Sequence, residues 1–397
     1  MHNHTFISSF WKGFKIVKST QTESLISLTL KPNSTAKCPC GLESHAVHEY
    51  QWRHVKDAMI LGVPVELCIQ TRRVKCINCG IKTEALSWLE PHARITNRLR
   101  SYIEQLLPLL PIKHISQITG IHWHSIKEID KRRLQQKVPQ VKWEKLRQLV
   151  MDEFAIFKGH RYATVIADAT THQVIWVGLG RSRKDIRPFF EHLGKHAKNI
   201  EAVAMDMNTA FDLEVQQHCP NACIVYDLFH VVAKFGREVM DRVRVDQANR
   251  LKLDKKARQW IKRSRWVLLK NRDNLNARQA SYLEEILSIN KDLMTTYILG
   301  AQLKELWRCS SEKQVNELWE VWWQQVQESG IKPLQEFARK LRPYLHGIVA
   351  SANYPLNTCT LEGINNKIKL IKRMGYGYRD TAYFFLKIKA AFPGKPR

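Results

Sequence analysis

The chain has 397 residues, with 63 Lys or Arg against 37 Asp or Glu, and a formal net charge of +26. Hydrophobic residues make up 44% of it, which excludes a disordered basic tail and is typical of a folded protein of roughly two to four domains. The positive charge favours a nucleic-acid partner, because contacts with phosphates release condensed counterions. A membrane surface is the second possibility, but the sequence has no apolar run of about 18 residues. The first residues lack the layout of a signal peptide, so we expect an intracellular, bacterial protein.

Cysteines in the N-terminal part indicate a metal site. Cys38 and Cys40 share one turn, Cys76 and Cys79 share another, and the segment before Cys76 alternates apolar and polar residues as a strand does. Two such turns predict a zinc-ribbon-like module over residues 1–92, with a structural Zn²⁺ held by the four thiolates. The first pair is one residue shorter than the usual C-x-x-C, so other fourth ligands stay open: His45, His48 and His54. Four ordinary thiols are the alternative without metal.

Residues 93–142 contain a helix-turn-helix pattern. Two short amphipathic segments flank Gly120, which is the layout of a motif whose second helix enters the major groove of DNA. A plain helical hairpin is the alternative. The predicted DNA-binding side chains lie on or near the exposed face of the second helix: His122, His124, Ser125 and Lys127.

Residues 143–397 predict a mixed α/β sheet of the ribonuclease H-like kind. Three runs rich in β-branched residues are followed by an alternation of helical and strand patterns. From about 229 to 345 strand patterns disappear, and we expect a helical insertion there. Its tryptophans are mostly expected in the helix-packing core, and its cation-rich stretch 237–272 is expected to contact DNA phosphates.

Three acidic residues stand where this sheet could bring them together. Asp152 follows "QLVM" within the first strand, Asp206 closes the fourth, and Glu362 begins the helix after the helical segment. Carboxylates are the ligands that Mg²⁺ prefers, and two such ions can activate the attacking oxygen and stabilise the leaving oxygen in phosphodiester displacement. Each acid taken alone could be structural, Glu362 as a helix N-terminal residue for instance. Three further carboxylates compete with them: Glu153, Asp168 and Asp212. Cations after Glu362 would hold the DNA backbone: Lys367, Lys369, Lys372 and Arg373.

The motifs together resemble a known family. The stretches "CPCG…CINCG", "VMDEFAIFKGHRYATVIAD", "AVAMDMNTAF", "IVYDLFHVVAKF" and "LEGINNKIKLIKRMGYGYRD" are similar to bacterial insertion-sequence transposases of the L-three family, a branch of the DDE transposases. The resemblance runs from near residue 36 to about 390. It implies a zinc module, a helix-turn-helix and a ribonuclease H-like core with a helical insertion before the last acid.

The resemblance also implies roles for single residues. Asp152, Asp206 and Glu362 match the metal-binding triad, with two Mg²⁺ or Mn²⁺ ions per active site. Asp227 and His230 match a D-x-x-H element that supports the site or contacts a DNA end. The remaining matched positions belong to the basic signature and are expected at the DNA: Asn365, Asn366 and Arg379.

We therefore expect a transposase that binds the inverted-repeat ends of its element, cuts them, and joins 3′ hydroxyls to target DNA. Holding two ends requires a homodimer or larger assembly on double-stranded DNA, in the bacterial cytoplasm at the nucleoid. Two alternatives stay open: a DNA-binding regulator that has lost catalysis, and a structure-selective nuclease with the same core.

Overall fold

The computed structural model describes residues 10–44, 46–157, 159, 161–356 and 359–395. The chain divides into two compact units, Met1–Val138 with Ile371–Leu386, and Pro139–Leu370 with Lys387–Arg397. The sequence predicts a catalytic domain over 143–397 with a helical insertion at about 229–345, and in the structure Ile371–Leu386 groups with the first unit. A search of the described helices found none both long and apolar enough to cross a membrane.

The first unit contains a five-stranded sheet with the strand order β1–β2–β6–β5, and β7 pairs with β6 off this path. The strands of the unit are β1 (Phe14–Gln21), β2 (Ile26–Pro32), β3 (Ala36–Lys37), β4 (Glu43–Ser44), β5 (Val47–Ile60), β6 (Val63–Cys76) and β7 (Gly80–Thr83). β5 and β6 form a long hairpin, whose turn residues Leu61 and Gly62 both have positive φ, as tight hairpin turns require. One face of the sheet packs a core that includes Leu67 and Ile69.

Three helices follow the sheet in the first unit: α1 (Asn97–Leu106), α2 (Ile112–Thr119) and α3 (Trp123–Lys137). Thr96 caps α1 by accepting a hydrogen bond from the backbone N–H of Leu99. Gly120 ends α2 at φ 65°, a conformation that glycine adopts without steric cost. This places α2 and α3 on either side of a tight turn, as the helix-turn-helix pattern predicts.

The returning segment 371–386 packs on α3. The Tyr383 hydroxyl donates to Asp130 at 2.5 Å, and Asp380 accepts from Lys127 at 3.1 Å and pairs with Lys131 at 3.0 Å. Asp130 is fully buried, and a buried carboxylate is tolerated only when it has such partners. These contacts explain why this segment belongs to the first unit.

The second unit contains a mixed sheet with the strand order β10–β9–β8–β11–β12. Its strands are β8 (Gln148–Phe157), β9 (Arg161–Asp168), β10 (Val174–Leu179), β11 (Ala202–Met205) and β12 (Cys223–Tyr226). β8, β9 and β10 are antiparallel neighbours, whereas β11 runs parallel to both β8 and β12. This order fits the ribonuclease H-like core that the sequence predicts. The central strands are buried on both faces, which accounts for their continuous apolar sequence.

The remaining helices belong to the second unit, except that the part of the last two within Ile371–Leu386 belongs to the first. Their bounds are α4 (Arg183–Leu193), α5 (Thr209–His218), α6 (Leu228–Phe235), α7 (Asp241–Arg250), α8 (Lys255–Arg263), α9 (Arg265–Leu269), α10 (Ala277–Ile289), α11 (Lys291–Glu305), α12 (Glu312–Glu328), α13 (Lys332–Leu341), α14 (Leu345–Val349), α15 (Cys359–Met374) and α16 (Thr381–Ala391). Between 228 and 352 the described chain has helices and no strand. Trp319 and Trp322 are buried in the core of this part, whereas Trp266 is exposed.

Candidate active site

Two neighbouring parallel strands bring Asp152 and Asp206 together. The register pairs Val150 of β8 with Ala204 of β11, and each aspartate follows its strand partner by two residues, so both lie at the same level of the sheet. Asp152 is buried, with 8% of its surface exposed, and Asp206 is half-buried. Their carboxylates and the ring of His230 offer ligand atoms that all lie within 4.8 Å of one another.

Helix α6 positions His230. Asp227 caps the helix by accepting a hydrogen bond from the backbone N–H of Phe229 at 3.0 Å, and this fixes the first turn on which His230 stands. The Nδ1 atom of His230 lies 2.7 Å from a carboxylate oxygen of Asp206, and its Nε2 lies 3.8 Å from Asp227. The ring is therefore part of the acidic group itself. The D-x-x-H resemblance implies a role in supporting the site or contacting a DNA end, and the ring lies closer to the carboxylates than such a role requires.

The charges of the site are strongly coupled. Burial is the main cause that raises the pKa of Asp152 to about 7, and the negative charge of Asp206 raises it further. Burial lowers the pKa of His230, but the hydrogen bond and charge of Asp206 outweigh it, so the net shift is upward. Two carboxylates held this close favour a positive charge between or beside them.

Glu362 lies apart from this group. It is exposed in the first turn of α15, and in the described part of the chain the acidic group contains Asp152, Asp206 and His230 without it. The residue that α15 presents to Asp152 is Asn365, whose Nδ2 donates to the carboxylate at 2.5 Å. Three carboxylates at one point repel each other, whereas an amide donates to one of them. Glu362 and Asn365 are three residues apart, so they lie within one turn on the same side of the helix.

The donor set fits a divalent cation with oxygen ligands. Asp152 and Asp206 supply carboxylate oxygens, which Mg²⁺ and Mn²⁺ prefer. The Oδ1 atom of Asn365 is buried and, within the described residues, has no hydrogen-bond partner. This oxygen belongs to the same amide that contacts Asp152, so it is a further neutral donor at the site. The family resemblance implies that Asn365 contacts DNA. The signal that it faces the sheet is its place beside the apolar residues Ile364 and Ile368, which are buried.

The competing carboxylates have other partners. Asp168 accepts hydrogen bonds from Thr171 at 2.7 Å and from the backbone of Thr170 at 3.1 Å, which stabilise the turn after β9. Glu153 pairs with Arg181 at 2.7 Å. Burial raises the pKa of Asp212, and a hydrogen bond with Tyr226 acts in the opposite direction. Each of the three therefore stands outside the acidic group.

The four cysteines predicted as zinc ligands also converge. The sulfur atoms of Cys38, Cys40, Cys76 and Cys79 lie within 4.8 Å of one another, so the short C-x-C spacing does not keep Cys40 away. His48 and His54 are outside this group among the described residues, and His45 lies outside the described residues. The backbone N–H of Asn78 is the main cause that lowers the pKa of Cys76 to about 7. Four close sulfur donors, one of them readily ionised, fit tetrahedral Zn²⁺.

The predicted DNA-binding residues divide into exposed and paired ones. On α3 and its cap, His122, His124 and Ser125 are exposed. Lys127 instead faces the returning segment, where Asp380 holds it and leaves its side chain 17% exposed. The sequence predicts it on the exposed face, and the helix turns it inward because it neighbours the buried stripe of Ile126 and Asp130.

Helix α15 and the turn after it carry the basic signature. Most of the predicted residues are exposed: Asn366, Lys367, Lys369, Arg373 and Arg379. Lys372 is half-buried, and the ammonium of Lys367 donates to the carbonyl of Ala391 at 3.0 Å. Lys369 and Arg373 are four residues apart and therefore form one exposed basic face.

The chain is similar to known transposases. A family model described as "Transposase" matches residues 149–388, and one described as the helix-turn-helix domain of transposase family ISL3 matches residues 84–134. The transposase for insertion sequence element IS1001 of Bordetella parapertussis is 48% identical over 394 residues, 98% of this chain and 97% of that protein. The transposase for IS1557 of Mycobacterium tuberculosis is 25% identical over 88% of this chain and 85% of its own.

Among solved structures, a chain of the Drosophila P element transposase strand transfer complex covers 74% of this chain and 90% of its own, with 8% identity and a TM-score of 0.37. That likeness is too weak to support an argument about the site. The sequence matches are sufficient: both family models fall on the described helix-turn-helix and sheet, in the expected order. The chain belongs to the ISL3 family of transposases.

Proposed function

We propose that this transposase cuts the ends of its insertion sequence and joins the freed 3′ hydroxyls to target DNA at a site built on Asp152, Asp206 and Glu362. The observation that carries the proposal is the convergence of Asp152, inside β8, and Asp206, directly after β11, on two neighbouring parallel strands, with α15 contacting Asp152 one turn from Glu362. Two Mg²⁺ or Mn²⁺ ions, when bound, would supply activation of the attacking oxygen and stabilisation of the leaving oxygen.

The protein's own residues position the substrate. Asp152 and Asp206 hold their carboxylates on the rigid sheet, and Asn365 orients Asp152 through its hydrogen bond. His230 holds Asp206, and the hydrogen bond and charge of Asp206 outweigh burial and raise its pKa, which favours a positive charge on the ring beside the scissile phosphate. Lys369 and Arg373, exposed on α15, would contact the DNA backbone.

The rest of the chain would recognise the ends. Helix α3 would enter the major groove with His122, His124 and Ser125 at its N-terminal end. The four cysteines would hold Zn²⁺ and stabilise the surrounding loops. Synapsis of two ends would require a homodimer or larger assembly on double-stranded DNA, in the bacterial cytoplasm at the nucleoid.

The test is cleavage of a labelled duplex that carries the element's end, with Mg²⁺ or Mn²⁺. Asp152→Asn, Asp206→Asn and Glu362→Gln should each abolish cleavage while end binding persists. Asp212→Asn is the matched control, because it neutralises a buried carboxylate outside the acidic group, and it should cleave normally. Normal cleavage by Glu362→Gln would remove that residue from the site.

The same assay separates the alternatives. A wild-type protein that binds ends and never nicks them would be a regulator. A protein that nicks branched or mismatched DNA but never joins a 3′ hydroxyl to a target would be a structure-selective nuclease.

Lys369→Ala with Arg373→Ala should weaken end binding and reduce the salt slope by roughly 2, about one for each lost phosphate contact.

A further inference from the structure

The N-terminal sheet has an open face that the proposed function does not use. Side chains of β5 alternate between the two faces, and Val55 and Asp57 point into the core. The opposite face of β5 carries Tyr50 and Trp52, which are 55% and 49% exposed. Two large aromatic rings half-exposed two residues apart on one strand form a flat apolar platform.

Cations lie on the other edge of the same face. The strand registers align one row of side chains across the sheet, in the order Lys18, Thr29, Cys68 and His54. Lys15 and Lys31 are paired with each other, two residues beyond Thr29 on β2 and, across a bulge, three residues before Lys18 on β1. These three lysines and His54 are exposed. The face therefore combines an aromatic edge on β5 with a basic edge on β1 and β2.

The cysteine group covers only one end of this face. Val74 and Cys76 of β6 share the side-chain direction of Cys68 and pack with Cys38. Beyond them, towards the β5–β6 turn, the same face carries exposed polar side chains and the two rings. A basic, partly aromatic surface is unsuited to an apolar protein partner and complementary to a polyanion with flat bases.

We propose that this sheet face binds single-stranded DNA, with bases stacked on Tyr50 and Trp52 and phosphates beside Lys15, Lys18 and Lys31. Stacking on an aromatic ring needs a base whose face is free, which a paired duplex does not offer. The four strands also span about 14 Å between the outer two, wider than the major groove of about 12 Å, so the face does not fit into a duplex groove. The inference rests on the proposed function in one respect, since a cut DNA end is where the strands of a duplex can separate.

The test uses the full-length protein in EDTA and a labelled oligo(dT) of about 20 nucleotides, longer than the roughly 4–16 nucleotides that a comparable sheet domain covers. Fluorescence anisotropy should show binding by the wild type. Tyr50→Ala with Trp52→Ala should raise Kd about a hundredfold, about tenfold for each ring. Tyr50→Phe with Trp52→Phe keeps the rings and should bind within a few fold of the wild type.

The cations give a second, independent readout. Lys18→Ala with Lys31→Ala should reduce the salt slope of oligo(dT) binding by about 1.4, since each single-strand phosphate contact contributes about 0.7. Leu61→Ala is the matched control, because Leu61 is fully exposed at the tip of the same hairpin, and it should leave both quantities unchanged.

Several results would overturn the inference: no oligo(dT) binding by the wild type, unchanged affinity of a folded Tyr50→Ala, Trp52→Ala protein, or an equal loss of duplex affinity in that variant. If the Tyr50→Ala, Trp52→Ala protein does not fold, an unchanged salt slope of oligo(dT) binding in the Lys18→Ala, Lys31→Ala protein would also overturn the inference. Cleavage of an end duplex by the wild type is measured alongside. If the wild type does not cleave the end duplex, the proposed function is contradicted. If it cleaves but the sheet variants bind oligo(dT) as the wild type does, only this inference is contradicted.

Discussion

Replacement of Asp152 by Asn should stabilise the metal-free protein while it abolishes cleavage. Burial and the charge of Asp206 raise the pKa of Asp152 from 3.8 to about 7. The pKa of Asp152 is therefore about three higher in the folded protein than in the unfolded chain, and this difference corresponds to about 4 kcal/mol of proton-binding free energy. Because the folded pKa is raised, the contribution of Asp152 to the free energy of unfolding is greatest below about pH 4 and is lost as the pH rises to about 7. Asparagine carries no charge at either pH and keeps an oxygen that accepts from Asn365.

The assay is urea denaturation in EDTA at several pH values. At pH 8 we expect the Asp152→Asn free energy of unfolding to exceed that of the wild type by about 2–4 kcal/mol, and the difference to shrink towards pH 4. Asp168→Asn serves as control, since Asp168 is also buried but accepts hydrogen bonds from Thr171 and Thr170, and this variant should lose stability. A difference at pH 8 that is zero, or that does not change with pH, would refute the reasoning.

Three further variants test other parts of the fold. Cys76→Ser should release zinc, measured with a chromogenic chelator, and lower the melting temperature of the first unit; full zinc content in the purified variant would contradict the assignment. Glu214 is fully buried and accepts hydrogen bonds from two arginines at 2.7 and 2.9 Å. Glu214→Ala should therefore lower the free energy of unfolding by about 2 kcal/mol, and unchanged urea denaturation would argue against that ion-pair cluster. Asp380→Asn removes two lysine contacts at 3.1 and 3.0 Å from a side chain that is 30% exposed, so we expect a loss of about 1 kcal/mol. A wild-type stability for Asp380→Asn would mean that Lys127 and Lys131 gain as much from water.

The sequence predicts the strand pattern of the second unit well because buried central strands need continuous apolar residues, as in β8 and β11. It also predicts Asp152 within the first strand and Asp206 at the end of the fourth, and the structure has Asp152 inside β8 and Asp206 directly after β11. The sequence could not predict the position of Glu362, because the side of α15 that meets the sheet depends on how Ile364 and Ile368 pack. That packing turns Asn365 to Asp152.

Lys127 shows the same limit on a smaller scale. Its place in the second helix of a helix-turn-helix predicts contact with DNA. Whether a lysine on such a helix is free depends on what packs beside it, and here Asp380, more than 250 residues away in sequence, holds its ammonium. No local pattern encodes a partner at that separation.

The sequence by itself determined the partner class, the order of modules and the identity of the chemical groups: cysteine pairs for zinc, acids for hard cations, and a large excess of lysine and arginine for phosphates. The number and spacing of these groups follow from the chain itself, whereas the metals they would hold remain predictions. Only the tertiary structure decided which of those groups meet, namely His230 and Asn365 with the aspartates, and Tyr50 and Trp52 with the lysines across a sheet. The reason is physical: strand register and helix packing are set by many weak contacts between distant residues, and they fix side-chain directions that spacing alone leaves open.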